Sequence, residues 1–417
     1  MPGFDVQLAK MVVFLFGIGF VGPAGMWELI GGDGRNGSWT TGRGHDRARA
    51  LAVFQGDLFV GLGAADSEVW NFDGEVWSQI GGNGIKGSWN ARQKSGNRKP
   101  VWVNSLLTDS EDRFLYAGIK QAEHGAQLWR FDGEHWGLIG GTGRGGDWKS
   151  ECYENVYTLT WHAGDLHAGL QGKLPPPGGS QYRAEYSNGE IYRYDGRSWE
   201  RMSGDGIRGS WDQAHATTWI YKLISFRGDL YAAIGRHGVK GRRWSGEVWR
   251  LSDSRWEEVG GMGMRGSWNP KTTHLVTSMI VHKDRLLIGY NCQACPQRKG
   301  RIGNVWSWDG EKWSDLSLPA PGGEGSVIAN QRSFNDFAVY RGHLLVGGGR
   351  ANPAGNAVIW MLDEARNAWR PFASGQKQFL SNRYVYSMIV HGKDLIVGFK
   401  GDTGTGQVWR FRTPSDH

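Results

Sequence analysis

Five times along this chain a tryptophan follows a basic side chain within a few residues. The pairs are Arg35 with Trp39, Lys86 with Trp89, Arg144 with Trp148, Arg208 with Trp211 and Arg265 with Trp268. A guanidinium or ammonium group pairs with an anion, and an indole offers a flat face for a ring to stack on. Side by side, the two would make subsites for a carbohydrate or another polar, anionic ligand. The competing expectation is structural. Large rings fill the space between repeated elements, and Lys and Arg in loops are solvated. Trp244 lies in the segment 236–246 among Arg236, His237, Lys240, Arg242 and Arg243, and is the best single candidate for an exposed stacking ring.

Other residue types suggest narrower chemistry. Aligned copies of one apolar segment put Ala50, Ser105, Thr158, Lys222, Ser278, Asp336 and Ser387 at a single position. Only Lys222 and Asp336 are charged there. They would form a functional pair near a central axis, or be solvated pore residues. Cys292 and Cys295 are spaced for a local disulfide or two free thiols. A c-type haem would require His at 296, where Pro296 stands, and a zinc site would require two further ligands. Five copies of G-x-G-x-x-G lack the strand-turn-helix setting of a dinucleotide site and read as structural turns. No cofactor or metal is expected. The formal charge of +7 is spread without a dense run, so nucleic acid is not expected as a partner.

The elements that must position these residues repeat. A strand-opening tryptophan recurs at Trp27, Trp77, Trp136, Trp199, Trp256, Trp313 and Trp369. After the first five the text is nearly constant, as in WELIGGDGRNGSW (27–39) and WSQIGGNGIKGSW (77–89). Each copy then enters an apolar hairpin such as LAVFQGDLFVGLG (51–63), with Gly-Asp marking the turn. A third segment of the EVWNFDG type follows, and its Asp-Gly leads back to the next tryptophan. Four short antiparallel strands per copy predict an all-β, seven-bladed β-propeller spanning 25–417. The last copy stops after its third strand. The missing fourth would come from Trp27 to Ile30, so both chain ends would complete one blade.

The W-x-x-I-G-G and V-W-R-Y-D-G segments resemble kelch-type and tachylectin-like propeller repeats. The resemblance implies the propeller fold and carries over no activity or site residues. One departure is plain: the Gly-Gly of kelch repeats sits on the second strand, and here it follows the fourth.

Residues 1–24 hold an apolar run at 11–21, too short for a membrane-crossing helix and of signal-peptide length. Asp5 precedes the run and no A-x-A site follows. Secretion or a cell-surface location is one expectation, and an apolar strand in a cytoplasmic protein the other. The long connections all emerge on one face of a propeller, where function usually sits. The expected function is non-enzymatic, lectin-like binding of a carbohydrate or other polar, anionic ligand on that face. The alternatives are a glycan hydrolase or lyase at the pore mouth and a protein-interaction scaffold. Similar pockets in several blades would mark a lectin, and a single asymmetric pocket an enzyme.

Overall fold

The computed structural model describes residues 25–413 except 41–44, 65–66, 91–100, 122–123, 173–188, 212–216, 238–243, 269–273, 293–304, 317–332, 350–356, 367 and 374–381, and 402–405. Its described elements are β-strands joined by turns and short 3-10 turns. The apolar segment 1–24 and most of the loop 236–246 lie outside the described residues. So do the basic loop residues Lys240, Arg242, Arg243, Arg298, Lys299 and Arg301.

Strands pair with their sequence neighbours in antiparallel units of four. The unit Arg47–Phe54, Asp57–Ala64, Val69–Phe72 and Trp77–Gly81 is representative. Its first strand alternates half-buried and buried residues along its whole length, the period-2 pattern of a pleated strand. The hairpin turn behind it is Gln55-Gly56, with φ of 50° and 85°. Two positive φ values make a type I′ turn, which matches the strand twist and favours glycine at its second position. The Asp of the expected Gly-Asp turn therefore opens the second strand, Asp57 pairing with Phe54. The Asp-Gly after the third strand works differently. Asp73 Oδ1 accepts the backbone N–H of Glu75 and of Val76 at 2.9 and 2.8 Å. Asp132, Asp195 and Asp309 repeat this side-chain closure.

The first strands of the units are Arg47–Phe54, Val101–Thr108, Tyr153–His162, Thr217–Phe226, His274–His282, Ser333–Tyr340 and Asn382–His391. Each packs against the next, and Asn382–His391 packs against Arg47–Phe54. Close approach here explains six glycines on the second strands. A Cβ on Gly61 would stand 2.6 Å from Val103 Cγ1, and one on Gly169 would stand 2.7 Å from Ile220 Cγ2. The N-terminal strand Met26–Gly31 pairs with Gln407–Arg412, Trp27 opposite Phe411 and Leu29 opposite Trp409. The pairing anticipated between the two chain ends is present. Arrayed around one central cavity, these four-stranded units make the chain an all-β repeat β-propeller.

A tryptophan lattice holds the outer strands. Trp77 Nε1 donates to Ile30 O, Trp136 to Ile80 O, Trp199 to Ile139 O and Trp256 to Met202 O. The same bond runs from Trp313 to Val259 O and from Trp369 to Leu316 O, all at 2.6–2.9 Å. Each of these bonds ties one unit to the outer strand of the unit before it.

Candidate ligand site in the central cavity

The Trp-plus-basic tails are not stacking sites. Trp39, Trp89, Trp148, Trp211 and Trp268 are each no more than 2% exposed. Their indole N–H groups donate to Gly406, Ser67, Ala126, Gly189 and Gly246 carbonyls at 2.8–2.9 Å. Each ring thus pins its tail to the start of the third strand in its own unit. The glycines shape the turn. Gly34 has φ 76° and Gly37 φ 74°, Gly32 N donates to Ser38 Oγ at 2.9 Å, and Gly34 N donates to Trp39 O. The segment closes on itself as a hydrogen-bonded turn.

The basic tail residues point outward. Lys86, Arg208 and Arg265 adopt left-handed φ of 52°, 53° and 49° within that turn. Arg208 and Arg265 pair with Glu200 and Glu257 on their own units. Lys86 reaches the carbonyl of Gly133 at 3.4 Å, and Arg35 and Arg144 are exposed. No tail therefore presents its own tryptophan face beside a cation, and the rings that Lys86 and Arg265 lie over, Phe131 and Trp308, are buried. Trp244 opens the strand Trp244–Ser252 opposite His237 and so is not in a loop. Its side chain lies outside the described residues, as does Cys295. Cys152, in the turn Ser150–Cys152, packs against the apolar cluster around Trp148 and Tyr153.

The site that the structure does form is central. A cavity of about 180 Å³ is lined by residues from all seven first strands. Each of these strands carries a register shift at the same repeat position, between Ala48 and Ala50, Val103 and Ser105, Val156 and Thr158, and Ile220 and Lys222. In the remaining units it falls between Val276 and Ser278, Phe334 and Asp336, and Val385 and Ser387. A β-bulge adds one unpaired residue and turns its side chain out of the ladder. The added residues are Arg49, Asn104, Tyr157, Tyr221, Thr277, Asn335 and Tyr386, and every one of them lines the cavity. The aligned column containing Lys222 and Asp336 lies immediately after this one, which carries most of the chemistry. The signal for it was the row of polar and aromatic residues directly before that column.

Arg49 dominates the cavity. Its guanidinium carbon lies 5.0 Å from the Trp102 ring centroid and 5.4 Å from those of Tyr157 and Tyr386. Its Nη2 donates to Tyr157 Oη at 2.8 Å. Among the described residues no carboxylate lies within ion-pair distance of Arg49. Other cations in the same and neighbouring strands are paired. Arg47 and Lys400 meet Asp46 at 2.8 and 3.6 Å, and Lys120 meets Glu154 at 3.1 Å. A half-buried cation held by aromatic rings, with one hydrogen bond from its five donors among the described residues, has the chemistry to take an anion.

Lys222 and Asp336 do share this cavity, but they play different parts. At their position the hydroxyl residues link units. Thr158 Oγ1 accepts from Leu223 N at 3.2 Å, and Ser278 Oγ donates to Phe334 O at 2.9 Å. Asp336 Oδ2 accepts from Met388 N at 2.8 Å, the place Leu223 N holds against Thr158. Its carboxylate therefore also serves a packing link. Burial raises the Asp336 carboxyl above the usual carboxylate range, and the nearby charge of Lys222 partly opposes this. Lys222 makes no ion pair or hydrogen bond among the described residues. The Tyr221 hydroxyl is held well above its ordinary value by burial and so stays neutral.

No protein-family model matches the chain, and no curated protein is similar to it in sequence. Among solved structures, it is similar to the WD40 β-propeller domain of Doa1, at 12% identity and a TM-score of 0.49. That match covers 89% of this chain and 95% of the other. A chain from the mitotic checkpoint complex matches at the same identity and TM-score, over 87% of this chain and 90% of its own. Among the described residues no helix is long and apolar enough to cross a membrane.

Proposed function

We propose that residues 25–417 form one closed seven-bladed β-propeller, and that its axial cavity binds a small anionic ligand. The cyclic packing of the first strands and the pairing of Met26–Gly31 with Gln407–Arg412 support the closed ring. The observation that carries the binding reading is Arg49. It lines a cavity shared by seven strands, lies among three aromatic rings, and has no carboxylate partner among the described residues. Lys222 adds a second cation to the same cavity. A volume of about 180 Å³ lies below the ~300–1,000 Å³ of pockets for drug-sized ligands, so the ligand is metabolite-sized. The reading keeps the polar, anionic ligand that the sequence suggests and moves it from the loop tails to the axis.

A glycan hydrolase or lyase is the second reading. It draws on the raised Asp336 carboxyl beside Lys222. Glycoside hydrolysis ordinarily needs two carboxyl groups flanking one bond. Asp336 is the one carboxylate lining the cavity among the described residues, which favours binding over hydrolysis.

Calorimetric titration of the protein and of Arg49→Met with small carboxylates and inorganic phosphate tests the reading. At least one anion should bind the wild type and lose tenfold or more in the variant. Anion binding unchanged by Arg49→Met would overturn it.

A further inference from the structure

We infer that the axial ligand is an acidic monosaccharide, a single hydroxylated ring bearing one carboxylate; this rests on the axial site proposed above. The cavity has two unlike walls. On one, Arg49 offers in-plane N–H donors in the fork geometry that matches a carboxylate, beside the Tyr157 hydroxyl. The rings of Tyr157 and Tyr386 line the cavity beside that guanidinium and supply flat apolar surface.

The other wall is built for hydroxyl groups. Lys222 is a donor with no partner among the described residues, and the Asp336 carboxylate, which takes backbone N–H groups of Met388 and Phe337, keeps lone pairs for a further donor. A sugar ring carries several hydroxyls, each of which donates and accepts, so a lysine and a carboxylate lining the same cavity suit it. In the order of the strands Lys222 stands three units from Arg49, across the cavity, and Asp336 stands two units back from Arg49 on the other side. Inorganic phosphate or a bare carboxylate would satisfy Arg49 and leave this second wall unused. A neutral sugar would use the second wall and leave Arg49 without its anion. The volume of about 180 Å³ sets the limit at one ring rather than a chain.

Titration calorimetry with glucuronate, galacturonate, their neutral parents glucose and galactose, acetate and inorganic phosphate provides the test. The proteins are the wild type, Arg49→Met and Lys222→Met, each first shown by circular dichroism to be folded. At least one sugar acid should bind the wild type tenfold or more tighter than acetate, phosphate and its neutral parent. Arg49→Met should remove the preference for the acid over the neutral sugar. Lys222→Met should weaken the sugar acid by tenfold or more and acetate by less. Acetate or phosphate binding as tightly as the sugar acids, still dependent on Arg49, would overturn the sugar assignment and leave the axial anion site standing. Sugar acids bound no better than neutral sugars, with no effect of Arg49→Met, would overturn both, and so would absence of binding across the whole panel.

Discussion

Arg49 donates to the hydroxyl of Tyr157 across 2.8 Å, although the two residues sit on first strands with a whole four-stranded unit between them. The bond crosses the cavity and fixes where the guanidinium stands. It couples the geometry of the proposed anion site to the spacing of the units, so the site depends on the architecture rather than on a flexible loop.

Tyr157 is therefore a positioning residue. Tyr157→Phe keeps the ring beside Arg49 and removes one charge-assisted hydrogen bond, worth ~1.5–3 kcal/mol. Anion affinity should fall about tenfold, with the melting temperature changing little, because the hydroxyl faces a cavity rather than the packed core. Parallel calorimetry and thermal denaturation of this variant check both numbers.

The pH dependence of binding should follow Asp336. Burial raises its carboxyl above the usual aspartate range, so it takes up a proton at a higher pH than an ordinary aspartate would. Protonation removes a negative charge from a cavity that also holds Arg49 and Lys222. Affinity for an anion should therefore rise as pH falls through the Asp336 titration, and be lowest where the carboxylate is ionised. The neutral Tyr221 adds no opposing charge. A sulfonate ligand, ionised throughout, isolates the effect, and Asp336→Asn should flatten the profile. A profile of equal slope in Asp336→Asn would refute the assignment.

The tail tryptophans should matter to stability and not to binding. Trp211 is 1% exposed and anchors its tail through Gly189 O. Trp211→Ala should cost about 3–5 kcal/mol in chemical denaturation. Arg208→Ala, which loses one half-exposed ion pair with Glu200, should cost under about 1 kcal/mol. Both variants, at temperatures where they are folded, should bind the axial ligand as the wild type does. A loss of affinity in Arg208→Ala would restore the loop tails as a binding surface.

Much of the architecture was legible in the residue pattern, for a physical reason. Strand-opening tryptophans and Asp-Gly turns are local devices, and they recur at a fixed phase in the text. The pairing of Trp27 with Phe411 could be anticipated because the last copy lacks a strand that the first residues supply. The site was less legible. The bulge that turns out Arg49, Tyr157 and Tyr386 changes the phase of each first strand by one residue. An alignment by repeats then favours the column of Lys222 and Asp336 over its neighbour. The tails misled because Trp beside Arg is equally the pattern of a buried ring followed by a solvated charge. Only burial separates the two, and Trp89 is 2% exposed.

Closure predicts a stability effect at the chain ends. Deleting residues 26–31 should leave the edge of Gln407–Arg412 unpaired and remove Trp27 from its contacts with Phe372 and Phe411. Ile30 O would also be lost as the acceptor for Trp77. The melting temperature should drop by several degrees, since a few kcal/mol is a large share of domain stability. Unchanged melting would count against a ring that both termini complete.

Where an anion sits on the protein decides between the axial cavity and the loop tails. A crystal of the protein soaked with a bromine-labelled small carboxylate, such as 4-bromobenzoate, reports that position directly through anomalous scattering. One bromine peak should lie in the axial cavity, with the carboxylate against Arg49 and the ring beside Tyr157 or Tyr386. Bromine found only against the outward Arg35, Arg144 or Arg265, with the cavity unoccupied at saturating ligand, would contradict the account.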